Sequence, residues 1–123
     1  MNTLATTIDN YLDARNETET NCRDQLIQTI WAVDGRLVDQ PLAAHGHREI
    51  SDMAAALQAQ FPDHRFRRSS DVDEHHGHFR FAWELVAPNG TVAITGLDVG
   101  ELAENGRIAQ ITGFFGDLPG NAA

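Results

Sequence analysis

Asp98 is the first residue whose type and place invite chemistry. It lies in an alternating run, and a period of two puts its carboxyl on the same strand face as Val92, Ile94 and Leu102. Burying an unpaired carboxylate is costly, so such a position implies a raised pKa or a specific partner, and a carboxyl of that kind is a candidate for acid–base work. The alternatives are that this face is the outer one, or that Asp98 is a structural carboxylate bonded to backbone or to an arginine. Asp39 precedes Gln40-Pro41, which is also ordinary turn chemistry. Tyr11 falls on the apolar face of the first segment, where its hydroxyl needs an acceptor. The six histidines include His75-His76-Gly77-His78, where His76 and His78 would share a face. No Cys or carboxylate at recognised ligand spacing accompanies them, so a polar turn is expected and no metal. His45 and His47 flank the start of a helix near Asp39, and one of them could reach a cavity mouth. The lone Cys22 reads as a small core residue. Gly96-Leu97-Asp98-Val99-Gly100 lies inside a strand and opens no helix, so no phosphate loop and no cofactor are implied.

These residues must be held by elements of two kinds. Leu4, Ile8, Tyr11, Leu12 and Arg15 follow helical spacing, with Asn10, Asp13 and Ala14 off that face. Cys22, Leu26, Ile27, Ile30 and Trp31 mark a second helix that Asp34-Gly35 ends, followed by a short strand through Asp39. Ile50, Met53, Ala54, Leu57 and Phe61 mark a third, closed by Pro62. The period then falls to two, predicting strands over about 64–71, 76–87, 91–103 and 107–116, with turns at Pro88-Asn89-Gly90 and Asn105-Gly106. Phe79, Phe81 and Trp83 share one strand face and either fill a core or line a cavity. Residues 117–123 read as a loose tail. Helices first and a strand meander after give an α+β chain with helices on one face of a curved sheet.

Composition narrows the partners. The chain has 123 residues, 18 Asp+Glu against nine basic residues that are all Arg, and a formal charge of -9. One domain over 1–123 is expected, with no disulfide needed. The acidic balance and the lack of a basic stripe argue against nucleic acid. The opening residues lack a signal peptide's charged and apolar regions, and no window approaches a membrane span. With a lone thiol, a cytoplasmic location is expected.

The element order resembles the NTF2-like superfamily, and within it the SnoaL-like polyketide cyclase and steroid Δ-isomerase group. The resemblance also rests on Asp34-Gly35-Arg36-Leu37-Val38-Asp39 leading into Gly46-His47-Arg48-Glu49-Ile50, and on Gly106-Arg107-Ile108 with Thr112-Gly113-Phe114-Phe115-Gly116. It implies a cone in which three helices and a strongly curved, mainly antiparallel sheet enclose an apolar pocket, and a homodimer formed through the outer sheet face. In the steroid isomerases an Asp base moves a proton beside a ketone while a Tyr and a protonated Asp hydrogen-bond the oxyanion. By resemblance Asp39 matches the base, and Tyr11 and Asp98 match the two donors. Two departures stand out: Gln40 separates Asp39 from the proline, and Gly100 takes the place of an aromatic, so a steroid is not implied.

The function expected on this basis is cofactor-independent proton transfer next to the carbonyl of a small apolar compound, as in isomerisation or cyclisation. Asp39, Tyr11 and Asp98 would carry it, with Phe79, Phe81, Trp83, Phe115 and His47 around the ligand. The competing readings are a noncatalytic ligand-binding or dimeric interaction module, and a dehydratase or epoxide-hydrolase-like enzyme.

Overall fold

The first apolar repeat folds as α1 (Leu4–Asn16), with the Thr3 side chain accepting from the Thr6 amide at its start. In the second, α2 (Thr20–Ile30), the Glu19 side chain accepts from the Cys22 amide at 2.7 Å. The chain then passes directly into β1 (Trp31–Val38). The computed structural model describes residues 3–40 and 42–120. After β2 (Ala43–His45), Gly46 takes the left-handed φ of 86° that starts α3 (His47–Gln60). The remaining strands are β3 (Arg65–Arg68), β4 (Asp73–His75), β5 (His78–Val86), β6 (Val92–Leu102) and β7 (Ile108–Phe115).

The sheet runs β2-β1-β7-β6-β5-β3, with β4 paired on β5. Every pairing is antiparallel except β1 with β7, so the sheet is mixed and does not close. Register shifts in β1, β5 and β6 bend the strands, and the helices pack on the sheet face that carries the core. The core joins the two layers: Ile8, Tyr11, Ile27, Trp31, Phe81 and Ile111 belong to one buried cluster. This is the α+β architecture of three helices on a curved, mainly antiparallel sheet that the periodicity implies.

The differences have local causes. Trp31 continues the helical spacing of Ile27 and Ile30 but is already strand, and Asp34-Gly35 is an irregularity within β1 rather than a helix stop. A side chain at Gly35 would meet the Trp31 ring at 2.5 Å, so glycine lets that ring lie across its own strand. Ala14 is buried, and Cys22 is exposed because α2 turns Arg23, Ile27 and Ile30 inward instead. The stretch 64–71 yields only the short β3. The histidine run forms a two-residue hairpin turn between β4 and β5, with both His76 and Gly77 at positive φ. Residues 117–120 carry no helix or strand and are exposed; the rest of the expected tail, 121–123, lies outside the described residues. Among the described residues no helix is long and apolar enough to cross a membrane, and no group of three His, Cys, Asp or Glu could hold a metal ion.

Candidate active site

β6 turns Asp98 inward, as alternation requires, and its side chain is fully buried. Gly96 and Gly100 flank it on the same face, and their missing side chains make room for the rings of Trp83 and Phe79 from β5. Phe79 pairs with Gly100 across the ladder. The volume that an aromatic at position 100 would fill is therefore taken by the neighbouring strand. Trp83 Nε1 donates to Asp98 Oδ1 at 2.9 Å, and the Tyr11 hydroxyl donates to Oδ2 at 3.3 Å. Burial pushes the Asp98 carboxyl up to about 7; Asp39 adds to this, while Arg15 and the two donors oppose it.

Asp39 follows the last residue of β1 and is 4% exposed. Its backbone amide donates to the Leu42 carbonyl, and the Gln40 amide donates to its Oδ1 at 3.0 Å, which fixes the carboxyl across the turn. Gln40, the residue intervening before the proline, also ties the turn to the sheet: its Oε1 accepts from the Phe115 amide. The other oxygen of Asp39 meets Arg15. Arg15 Nη1 donates to Asp39 Oδ2 at 3.2 Å and to the Tyr11 hydroxyl at 2.9 Å, and the guanidinium lies over the Phe66 ring. Burial works to lower the Arg15 pKa, but Tyr11, Asp39 and Asp98 more than offset it and hold the cation. Tyr11 is pushed well above its usual value, chiefly by burial, and stays neutral.

One continuous network therefore runs from Asp39 through Arg15 and Tyr11 to Asp98 and Trp83. Its two carboxyls meet over Gly113 of β7. A side chain there would lie 2.6 Å from Asp98 Oδ1 and 2.8 Å from Asp39 Oδ1, so the glycine is what lets both carboxyls occupy one place.

No family model matches the chain, and no curated protein matches it. Solved structures do. A candidate isomerase of the SnoaL-like family from Agrobacterium tumefaciens str. C58 is 34% identical over 91% of this chain and 96% of its own, with a TM-score of 0.87. The chain belongs to the SnoaL-like family. A protein of ketosteroid isomerase-like fold from Catenulispora acidiphila DSM 44928, solved with trimethylamine, shares 15% identity over 88% of this chain and 83% of its own at a TM-score of 0.69. A candidate SnoaL-like polyketide cyclase from Jannaschia sp. CCS1 shares 15% over 89% and 84% at 0.66. These last two bear on the fold alone.

In this SnoaL-like chain the three residues matched by resemblance, Tyr11, Asp39 and Asp98, lie in one buried network. Phe79, Phe81 and Trp83 are at most 2% exposed and pack as core, and Phe115 sits edge-on to Trp83 at 5.6 Å. They fill the interior: the cavity left between the helices and β1 is about 10 Å³. A roomier cleft of about 640 Å³ lies outside, between α1 and β3, among charged side chains such as the Asp9–Arg68 pair. His47 does not reach the cavity; its Nε2 lies 3.0 Å from the Trp31 and Ala32 carbonyls. His45 and His78 are exposed. Arg15 is the residue that sequence reasoning missed as a functional group. Its place on the apolar face of the first helix was the signal, since an arginine at a core position needs a buried anion.

Proposed function

We propose that this SnoaL-like protein is a cofactor-independent enzyme of the isomerase or cyclase type. It would move a proton next to the carbonyl of a small, largely apolar compound, with Asp39 as proton acceptor and Tyr11 and Asp98 forming the neutral donor side. The observation that carries this is the meeting of two carboxyls over Gly113 in opposite environments. Asp39 is ion-paired with Arg15, whereas burial favours the neutral form of Asp98. Carboxyls whose surroundings separate them in this way divide into acid and base. A positioned acid–base group contributes about 10²–10⁴-fold to a rate.

Exchange of α-hydrogens for deuterium in small cyclic ketones, followed by NMR, tests the reading without knowledge of the substrate. The protein should accelerate exchange and Asp39→Asn should remove the acceleration. Equal exchange by that variant takes Asp39 out of the mechanism.

The filled interior favours, as a second reading, a noncatalytic module; ketone binding without exchange would select it. The dehydratase or epoxide-hydrolase reading gains nothing, because neither His47 nor His78 reaches the interior. A homodimer through the outer sheet face fits the exposed Val38, Val99 and Phe114, which neighbouring strands present on one side. Light scattering of the protein and of Phe114→Glu tests it; a monomeric parent chain would refute it.

A further inference from the structure

Among the described residues a single buried side-chain polar atom has no hydrogen-bond partner, and it is Arg15 Nη2. Arg15 also lines the interior cavity, whose other walls include Tyr11, Ile27, Trp31, Ile50 and Met53. A buried guanidinium donor left unmet is costly, more so than a neutral one. The donors and acceptors nearby are already committed: Nη1 serves Asp39 and Tyr11, the Tyr11 hydroxyl serves Asp98, and Trp83 holds the other Asp98 oxygen.

From this we infer that Arg15 Nη2 receives the oxygen of the ligand, which is a small neutral compound with one carbonyl acceptor on an apolar skeleton. The cavity selects among ligands in two ways. A water there would find Arg15 but few of the two to four polar partners it needs, because the remaining walls are almost wholly apolar. An anion would add an uncompensated charge, since Arg15 is already balanced by Asp39. A ketone or an aldehyde meets both conditions. The cavity of about 10 Å³ holds no such molecule until a wall yields. Met53, unbranched and adaptable, is the wall best able to do so.

The inference rests on the proposed proton transfer and refines its oxygen side. As the C–H proton passes to Asp39, the C–H electron pair forms a C=C bond and the carbonyl π pair moves onto oxygen, which accepts from Arg15. Arg15 keeps its proton throughout. The proton on Asp39 then returns to carbon and the carbonyl re-forms. One negative charge thus moves from Asp39 to the oxygen and back, beside the same cation, so the buried net charge never changes. Arg15 thus joins the donor side formed by Tyr11 and Asp98, to which its Nη1 is tied through the Tyr11 hydroxyl.

The test uses carbonyl-¹³C cyclopentanone, with methylenecyclopentane as the match lacking an oxygen, on the intact protein and on Met53→Ala, which enlarges the cavity. The ketone should bind at least about tenfold more tightly than the hydrocarbon. Its carbonyl signal should move downfield from its value in an apolar solvent. Both effects should persist in Asp39→Asn and be lost in Arg15→Lys, which keeps a cation but not the fork; Arg15→Gln serves if the lysine variant fails to fold. Equal affinity for the two probes, an unshifted carbonyl, or no binding even to Met53→Ala overturns the inference. Ketone binding that depends on Arg15 but gives no α-exchange would instead sink the proposed reaction and leave the subsite standing.

Discussion

Arg15 Nη1 lies 3.2 Å from Asp39 Oδ2, with the two side chains only 5% and 2% exposed. The pair joins the last turn of α1 to the residue just after β1, so one contact ties the helical layer to the sheet beside the site. Charges this deep gain from their attraction roughly what they lose in hydration, but removing one partner strands the other. We therefore expect Arg15→Met to destabilise the protein by about 3–5 kcal/mol. The double variant Arg15→Met with Asp39→Leu should recover much of that loss. Urea unfolding of the four proteins checks this; a double variant as unstable as the sum of the singles would mean the two residues do not act as a pair.

Asp98 gives the site a pH signature. Its carboxyl titrates at about 7 in the folded protein, against about 3.9 in an unfolded chain. Between those values the folded state holds the extra proton, so stability from this group is fully present below about pH 4 and is lost as pH rises through 7. The loss is of the order of 4 kcal/mol, at 1.36 kcal/mol per pH unit. Asp98→Asn, which mimics the neutral carboxyl, should remove this dependence and be more stable than the parent protein at pH 8. Denaturation curves from pH 4 to 8 decide the matter, and parallel profiles for the two proteins would show that Asp98 is ionised throughout.

Much of this arrangement was legible in the residues, and what was hidden depended on distant strands. A period of two in a run as long as β6 puts Asp98 on one face with Ile94 and Leu102, but it leaves open which face turns inward until β5 and the helices are in place. Arg15 fell on the correct helix face, but a face does not name a partner, and Asp39 lies 24 residues on. The burial of Asp39 was invisible in a turn sequence because it is conferred by β7, which reaches β1 through the parallel pairing that ends the chain's path across the sheet. The join of α2 to β1 escaped periodicity because Trp31 satisfies both the helix behind it and the strand ahead. The extent of the cavity was beyond reach for a related reason: rings from β5 fill the space left by Gly96 and Gly100, and only the register places them opposite one another.

Tyr11 sits between a cation and a carboxyl, accepting from Arg15 at 2.9 Å and donating to Asp98 at 3.3 Å. Its hydroxyl favours the ionised form of Asp98. Tyr11→Phe should therefore raise the Asp98 pKa further and cost about 1–3 kcal/mol for the donor and acceptor left unmet. Carboxyl-¹³C NMR titration reads the first effect and unfolding the second. An Asp98 signal that titrates lower in the variant would show that the bond is not made.

Gly113 supplies the space in which the two carboxyls meet, so its replacement tests convergence without touching either acid. In Gly113→Ala the new methyl would stand 2.6 Å from Asp98 Oδ1 and 2.8 Å from Asp39 Oδ1, far inside contact distance. One carboxyl must turn away, and each is held by bonds that a rotation breaks. Overpacking of this kind costs about 1–3 kcal/mol. The larger effect should fall on function, because the separation of acid from base depends on both groups lying together. Ketone α-exchange should drop toward the level of Asp39→Asn while the protein stays folded at 25 °C, and the Asp98 titration should move away from 7. Exchange and titration both unchanged would mean that the carboxyls do not share the space over β7.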